Sequence, residues 1–170
     1  MRRRALIQAM MFAATIARPA SSWSASSDPL PMPKVGEPFR LIDVPLLSGG
    51  TFRPADASGA VLVVYWWASW CPFCAVQTPL MQELWDSQRS RGLKVLGISV
   101  DKGARDATNY IAKRGITFPS GILGPIIEPA MAKPGKGLPV TCVLDRSGRV
   151  ALSENGQMFP EDVAGIARFV

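Results

Sequence analysis

The chain has 170 residues, 48% of them hydrophobic, with 19 Lys and Arg against 13 Asp and Glu. That length supports one domain with a proper core and is short for two. The net charge of +6 does not point to nucleic acid, because Arg2, Arg3, Arg4 and Arg18 supply four of the basic residues and only fifteen face the thirteen acids beyond them. Three cysteines and no histidine leave a four-ligand zinc site within one chain short of ligands, unless carboxylates fill in.

The basic start reads as part of an export signal. Met1–Arg4 is a positive n-region, and Ala5–Ala17 is an apolar stretch of thirteen residues. Small residues then crowd 20–27, where a peptidase could cut after Ser22, Ser24 or Ser26. Residues 1–26 are therefore expected to be a secretory signal, with an uncleaved membrane anchor as the alternative. Thirteen residues are too few to span a bilayer, which favours the signal. Export implies a compartment where disulfides persist, such as a bacterial periplasm. Residues 27–38, which hold four prolines, read as a linker, and 39–170 as the folded domain.

Within that domain, Phe39–Asp43 and Thr51–Arg53 are expected to be two short strands joined through Ser48-Gly49-Gly50. Val61–Trp67 is a continuous apolar run, as a central strand buried on both faces requires. From Pro72 to about Arg89 the pattern turns helical, with Val76, Leu80, Leu84 and Trp85 as the expected buried stripe. Leu93–Val100 reads as a second central strand and Asp101–Arg114 as a helix ending at Gly115. Val140–Leu144 and Arg149–Leu152 pair across the turn Asp145-Arg146-Ser147-Gly148, and Pro160–Val170 closes the chain as a helix. The stretch from Gly121 to Gly137 has no clear period and receives no assignment. This order indicates an α/β fold: a central mixed sheet with helices on both faces.

Trp70-Cys71-Pro72-Phe73-Cys74 lies where the buried strand gives way to the helix. Two cysteines separated by two residues suit thiol–disulfide exchange, since one sulfur can attack a partner and the other can reach back to release it. A helix N-terminus beside the first sulfur offers unpaired N–H groups and a dipole that favour a thiolate. A purely structural disulfide is the competing use, but so short a loop gains little closure benefit.

WWASWCPFC, Pro79 five residues after Cys74, and Gly137-Leu138-Pro139-Val140-Thr141 before VLDRSGRV together resemble the thioredoxin superfamily, most closely its exported TlpA/ResA-type oxidoreductases. Val35-Gly36-Glu37-Pro38-Phe39 resembles the entry to the extra N-terminal β-hairpin of that group. The resemblance covers residues 35–170 and implies a thioredoxin-like fold with that added hairpin. It makes Cys71 the attacking thiolate and Cys74 the less exposed resolving thiol. Pro139 matches the family's cis-proline, which faces the cysteine pair and, with Leu138 beside it, leaves a backbone edge for an extended substrate segment; an ordinary trans proline starting a strand is the alternative. Trp70, Pro72 and Phe73 would line the same docking surface, although Trp70 could also pack as core. Pro79 would kink the active-site helix, and Trp66 and Trp67 belong to the core. The implied task is reduction of disulfides in extracytoplasmic clients, such as haem- or copper-site precursors, with electrons from a membrane thiol transporter. No cofactor, metal or nucleic acid is expected, and membrane contact only through an uncleaved N-terminal segment.

The match has gaps. Tyr65 stands where thioredoxins place a buried carboxylate, and Gln77 where many TlpA/ResA-type proteins carry a glutamate. Neither can take a proton near neutral pH, so the acceptor for the Cys74 proton is open. Phe73 offers the Cys71 sulfur no hydrogen bond, which favours a reductant over an oxidant. Cys142, in an apolar strand, reads as a small buried hydrophobe, with a regulatory or intermolecular thiol as the alternative. Three other functions share these residues: a thiol oxidase or isomerase, a non-catalytic module binding a partner or copper(I) through Cys71 and Cys74, and, least supported, a peroxidase.

Overall fold

The structure, a computed structural model, describes residues 30–170. The expected secretory signal lies outside the described residues. Seven strands follow in chain order: β1 Val44–Pro45, β2 Thr51–Phe52, β3 Val61–Trp67, β4 Leu93–Ser99, β5 Ser120–Ile122, β6 Val140–Leu144 and β7 Val150–Asn155. Four helices are α1 Pro72–Gln88, α2 Ala104–Arg114, α3 Glu128–Met131 and α4 Pro160–Gly165. β1 and β2 form a separate antiparallel pair, and the other five build one sheet in the order β5-β4-β3-β6-β7. β3, β4 and β5 run parallel, while β6 and β7 return antiparallel. This is the mixed sheet and added N-terminal hairpin of a thioredoxin-like fold.

The buried run of β3 splits by the strand's two-residue period. Val61, Val63, Tyr65 and Trp67 enter one core with Cys71, Cys74, Met81 and Val163, while Leu62, Val64 and Trp66 enter the other with Cys142 and Met131. α1 and α2, which connect successive parallel strands, pack on one face, joined there by α4. The opposite face carries the four-residue α3, the Leu123–Ile127 stretch before it, and the N-terminal segment through Phe39, Leu41, Val44 and Phe52. The expected helices on both faces are present, although on the second face α3 shares the layer with extended chain. Among the described residues no helix is long and apolar enough to cross a membrane.

Several boundaries move. The first strand is Val44–Pro45 rather than Phe39–Asp43, because the loop is tight: Gly49 donates to the Leu46 carbonyl at 3.0 Å and Leu46 to Gly50 at 3.1 Å. Gly49 and Gly50 make that turn at φ of 90° and 80°. Only the residues flanking so short a loop can pair, which gives Val44↔Phe52. Val76 is not in the buried stripe of α1 but 53% exposed. Cys74, Gln77, Thr78, Met81 and Leu84 form that stripe, and Val76, two residues from Cys74, points the other way. α2 starts at Ala104 rather than Asp101, and the last turn, Ile166–Phe169, tightens to 3-10 form.

The unassigned stretch contributes β5, whose Gly121 lies under β1. A Cβ on Gly121 would meet a Val44 methyl at 2.5 Å and the Pro45 carbonyl at 2.9 Å. Leu47 donates to the Ser120 carbonyl at 2.8 Å, so the chain after β1 lines the β5 edge. At the other edge, Gly36 donates to Val150 at 2.7 Å and Val150 to Glu37 at 2.9 Å.

Candidate active site

α1 begins on a cysteine. Cys71 is its N-cap, with extended backbone (φ −84°, ψ 117°), and its Sγ accepts the Cys74 N–H at 3.2 Å. Pro72 occupies the first helical position, where a missing N–H costs nothing. The sulfur therefore sits among the free amides of the helix end, where negative charge is stabilised. Cys71 and Cys74 are both free thiols. Cys71 is 4% exposed and Cys74 fully buried, so of the two Cys71 alone reaches the surface. Its sequence neighbours Trp70 and Phe73 stand 67% and 57% exposed, and neither packs as core.

The Leu138–Pro139 peptide bond is cis, with Pro139 buried and Leu138 half-buried at the start of β6. Leu138 packs against the core that holds the cysteine pair. Pro79 lies inside α1 without ending it. Trp66 and Trp67 are buried on opposite faces of β3, with Trp66 Nε1 donating to the Met131 carbonyl at 3.2 Å.

Beneath the pair is a buried polar layer without a carboxylate. The Tyr65 hydroxyl and Thr78 Oγ1 share a hydrogen bond at 3.0 Å. Gln77 Nε2 donates to Thr141 Oγ1 at 3.0 Å, and Gln77 Oε1 accepts the Met158 N–H at 2.7 Å. Gln77 thus ties α1 to β6 and to the approach to α4, a structural role its sequence position did not disclose. Burial, then the Cys71 side chain alongside, pushes the Cys74 thiol well above the ordinary cysteine range. Burial, then the charge of a neighbouring Cys74 thiolate, holds Tyr65 well above its usual value.

Sequence reasoning missed Asp101. Its carboxylate, 4% exposed, accepts the Ser69 hydroxyl at 2.7 Å and the Ser99 hydroxyl at 2.6 Å. The only available signal was its place directly after a parallel strand, at the carboxyl end of the sheet where α/β proteins build their sites.

Cys142 lies in the core across the sheet from Cys71 and Cys74, with its sulfur 3.8 Å from Ser153 Oγ. Burial pushes this thiol up from 9.0 to about 11, with the Ser153 contact pulling weakly the other way. A raised value means the fold favours the neutral thiol. That contribution to stability is complete below the unfolded value and lost as pH rises towards the folded one. In a C71S/C74S variant, the 240 nm absorbance in excess of that of C71S/C74S/C142S, which removes the tyrosinate signal, should rise with a midpoint about 11; a midpoint near the ordinary value would show Cys142 open to solvent.

The sequence pattern of the AhpC/TSA family matches residues 35–153. Thiol-disulfide oxidoreductase ResA of Geobacillus thermodenitrificans is 28% identical over 118 residues, 69% of this chain and 67% of the relative. The ResA of Geobacillus kaustophilus is 27% identical over 119 residues, again 69% and 67% of the two chains. Among solved structures, a thioredoxin-family thiol:disulfide interchange protein from Chlorobium tepidum superposes with a TM-score of 0.68 at 26% identity, covering 85% of this chain and 97% of the other. A secreted thiol-disulfide isomerase from Corynebacterium glutamicum gives 0.67 at 25% identity, covering 76% and 82%.

Proposed function

The chain belongs to the AhpC/TSA family, and from that premise we propose that it is an exported thiol–disulfide oxidoreductase that reduces disulfides of client proteins. One observation carries the reading: Cys71 Sγ caps the N-terminus of α1, 3.2 Å from the Cys74 amide. The Cys71 thiolate attacks one sulfur of a client disulfide, whose other sulfur leaves with the bond electrons. Cys74 then loses its proton and attacks Cys71 Sγ, freeing the client's first sulfur and leaving Cys71 and Cys74 joined. Tyr65 and Gln77 accept no proton, so the departing client thiolate or water takes it. A dithiol donor must reduce the enzyme again, and a membrane thiol transporter fits that place.

Trp70, Pro72 and Phe73, exposed in the sequence around Cys71, together with Leu138 and cis-Pro139, would hold an extended client segment. The N-terminal residues 1–26 support export to the periplasm, with or without an uncleaved anchor. Clients in haem- or copper-site maturation, which must present free thiols to their cofactor, suit such a reductase.

The direction is tested by the midpoint potential of the Cys71/Cys74 couple, equilibrated against thiol buffers with Cys142→Ala. Phe73 gives the Cys71 sulfur no hydrogen-bond donor, so a value at or below about −230 mV is expected. A value of roughly −120 to −180 mV would make the protein an oxidant or isomerase.

A further inference from the structure

We propose that Asp101 is a positioning residue for the attacking cysteine, acting through Ser69. The inference rests on the reading of Cys71 as nucleophile. β3 and β4 end side by side, with Trp67 opposite Ser99 and the Val100 N–H donating to the Trp67 carbonyl at 2.8 Å. From there the two chains diverge, one towards Cys71 and the other towards α2. Asp101 bridges the gap.

Its Oδ2 accepts the Ser69 N–H at 3.1 Å, with Oδ1 at 3.3 Å from the same nitrogen. Oδ1 also accepts the Ser69 hydroxyl at 2.7 Å, and Oδ2 the Ser99 hydroxyl at 2.6 Å. The Asp101 N–H in turn donates to Ser99 Oγ at 3.1 Å, which locks the carboxylate's own orientation. Both oxygens are thus committed to holding Ser69 on the end of β4.

Ser69 is the second residue of the turn that delivers the site. That turn closes with the Cys71 N–H donating to the Ala68 carbonyl at 3.3 Å. Buried Ala68 fixes one end, and Asp101 fixes the next residue through backbone and side chain together. Trp70, exposed between Ser69 and Cys71, has no such tether of its own among the bonds described. Where Cys71 Sγ stands relative to the α1 amides, and where the Trp70 indole stands over it, therefore depends on Asp101. Buried side chains that hold a reacting group in place are worth much to rate, since a displacement near 1 Å can cost about 100-fold.

Geometry and charge can be separated by substitution. Asp101→Ala removes every bond and orphans the Ser69 N–H. Asp101→Asn with its oxygen at Oδ1 keeps the acceptor for the Ser69 hydroxyl and N–H and turns its NH2 to the Ser99 hydroxyl alone, which then accepts, while removing the charge. The test measures insulin reduction in the full chain, driven by dithiothreitol, and the pH profile of Cys71 alkylation by iodoacetamide. Both are read at a temperature where circular dichroism shows each variant folded. D101A should lose about 10- to 100-fold in kcat/KM and shift the alkylation profile, with D101N close to wild type in both.

Should D101A not fold, Ser69→Ala, which deletes only the 2.7 Å bond, takes its place, with a smaller loss in the same two readings expected. A folded D101A, or in its place S69A, with wild-type kcat/KM and profile overturns the inference, even if it melts lower. So does a D101N as impaired as D101A, because charge rather than placement would then be at work. A wild-type protein that reduces no insulin overturns the functional reading instead, and the alkylation profiles still decide the role of Asp101.

Discussion

Serine in place of Cys71 is expected to abolish disulfide reduction, and serine in place of Cys74 to fasten the protein to its clients. Cys71 is the one of the pair that reaches the surface and has a helix amide, that of Cys74, donating to its sulfur, whereas Cys74 is fully buried. Without Cys71 no mixed disulfide forms, and turnover should fall by roughly 10³-fold or more. Without Cys74 the first step proceeds but nothing displaces the client. Higher-mass species that collapse on reduction should then accumulate on non-reducing gels. Cys142→Ala should change neither outcome, because that thiol lies across the sheet. A copper(I) carrier would behave otherwise: either substitution would lose the metal and neither would trap a protein. Absence of trapped clients in C74S, with copper(I) bound by the wild type, would overturn the redox reading.

Trp66→Ala is expected to cost about 3–5 kcal/mol of stability, the range for deleting a large buried aromatic side chain. The indole is 1% exposed and fills the core opposite the cysteines, with the Phe39 ring 6.2 Å from its own. Its Nε1–H also satisfies the Met131 carbonyl, which the alanine would leave unpaired. Thermal unfolding should drop by roughly 10–15 °C for a domain of this size. Trp66→Phe keeps much of the volume and should lose less. Because Trp66 points away from Cys71 and Cys74, the midpoint potential of the folded variant should not move. A loss below about 1 kcal/mol in W66A would mean that this core is not packed around the indole.

What could be read in advance followed from local rules. The run Val61–Trp67 announced a strand buried on both sides, and the CxxC behind it announced a helix N-terminus; both lie where expected. The Gly137–Thr141 motif marked the turn into β6, where the cis bond is found. The failures have a common cause, which is that partners distant in sequence decided them. Val76 is apolar and at plausible helical spacing, yet the face of α1 that meets the sheet is set by Cys74, Gln77 and Met81. The burial of Gln77 and Thr78 was not legible because their hydrogen-bond partners, Thr141 and Tyr65, come from other strands. β5 is three residues long and contains a glycine, so no periodicity could reveal it; its place comes from β4 on one side and the Leu46–Leu47 backbone on the other. Asp101 resembled the start of a helix, and only the return of β3 beside β4 gives its carboxylate something to hold.

Clients of the proposed kind present extended chain with unpaired backbone, and any bare strand would invite them to pair along its length. Here the N-terminal segment lies along both outer strands, donating to and accepting from Val150 on one flank and donating to Ser120 on the other. Those flanks are guarded by the molecule's own chain. On the proposed reading, an arriving polypeptide meets covered backbone at Val150 and Ser120 and uncovered aromatic surface at Trp70 and Phe73, beside the cysteine pair, so that contact and chemistry coincide.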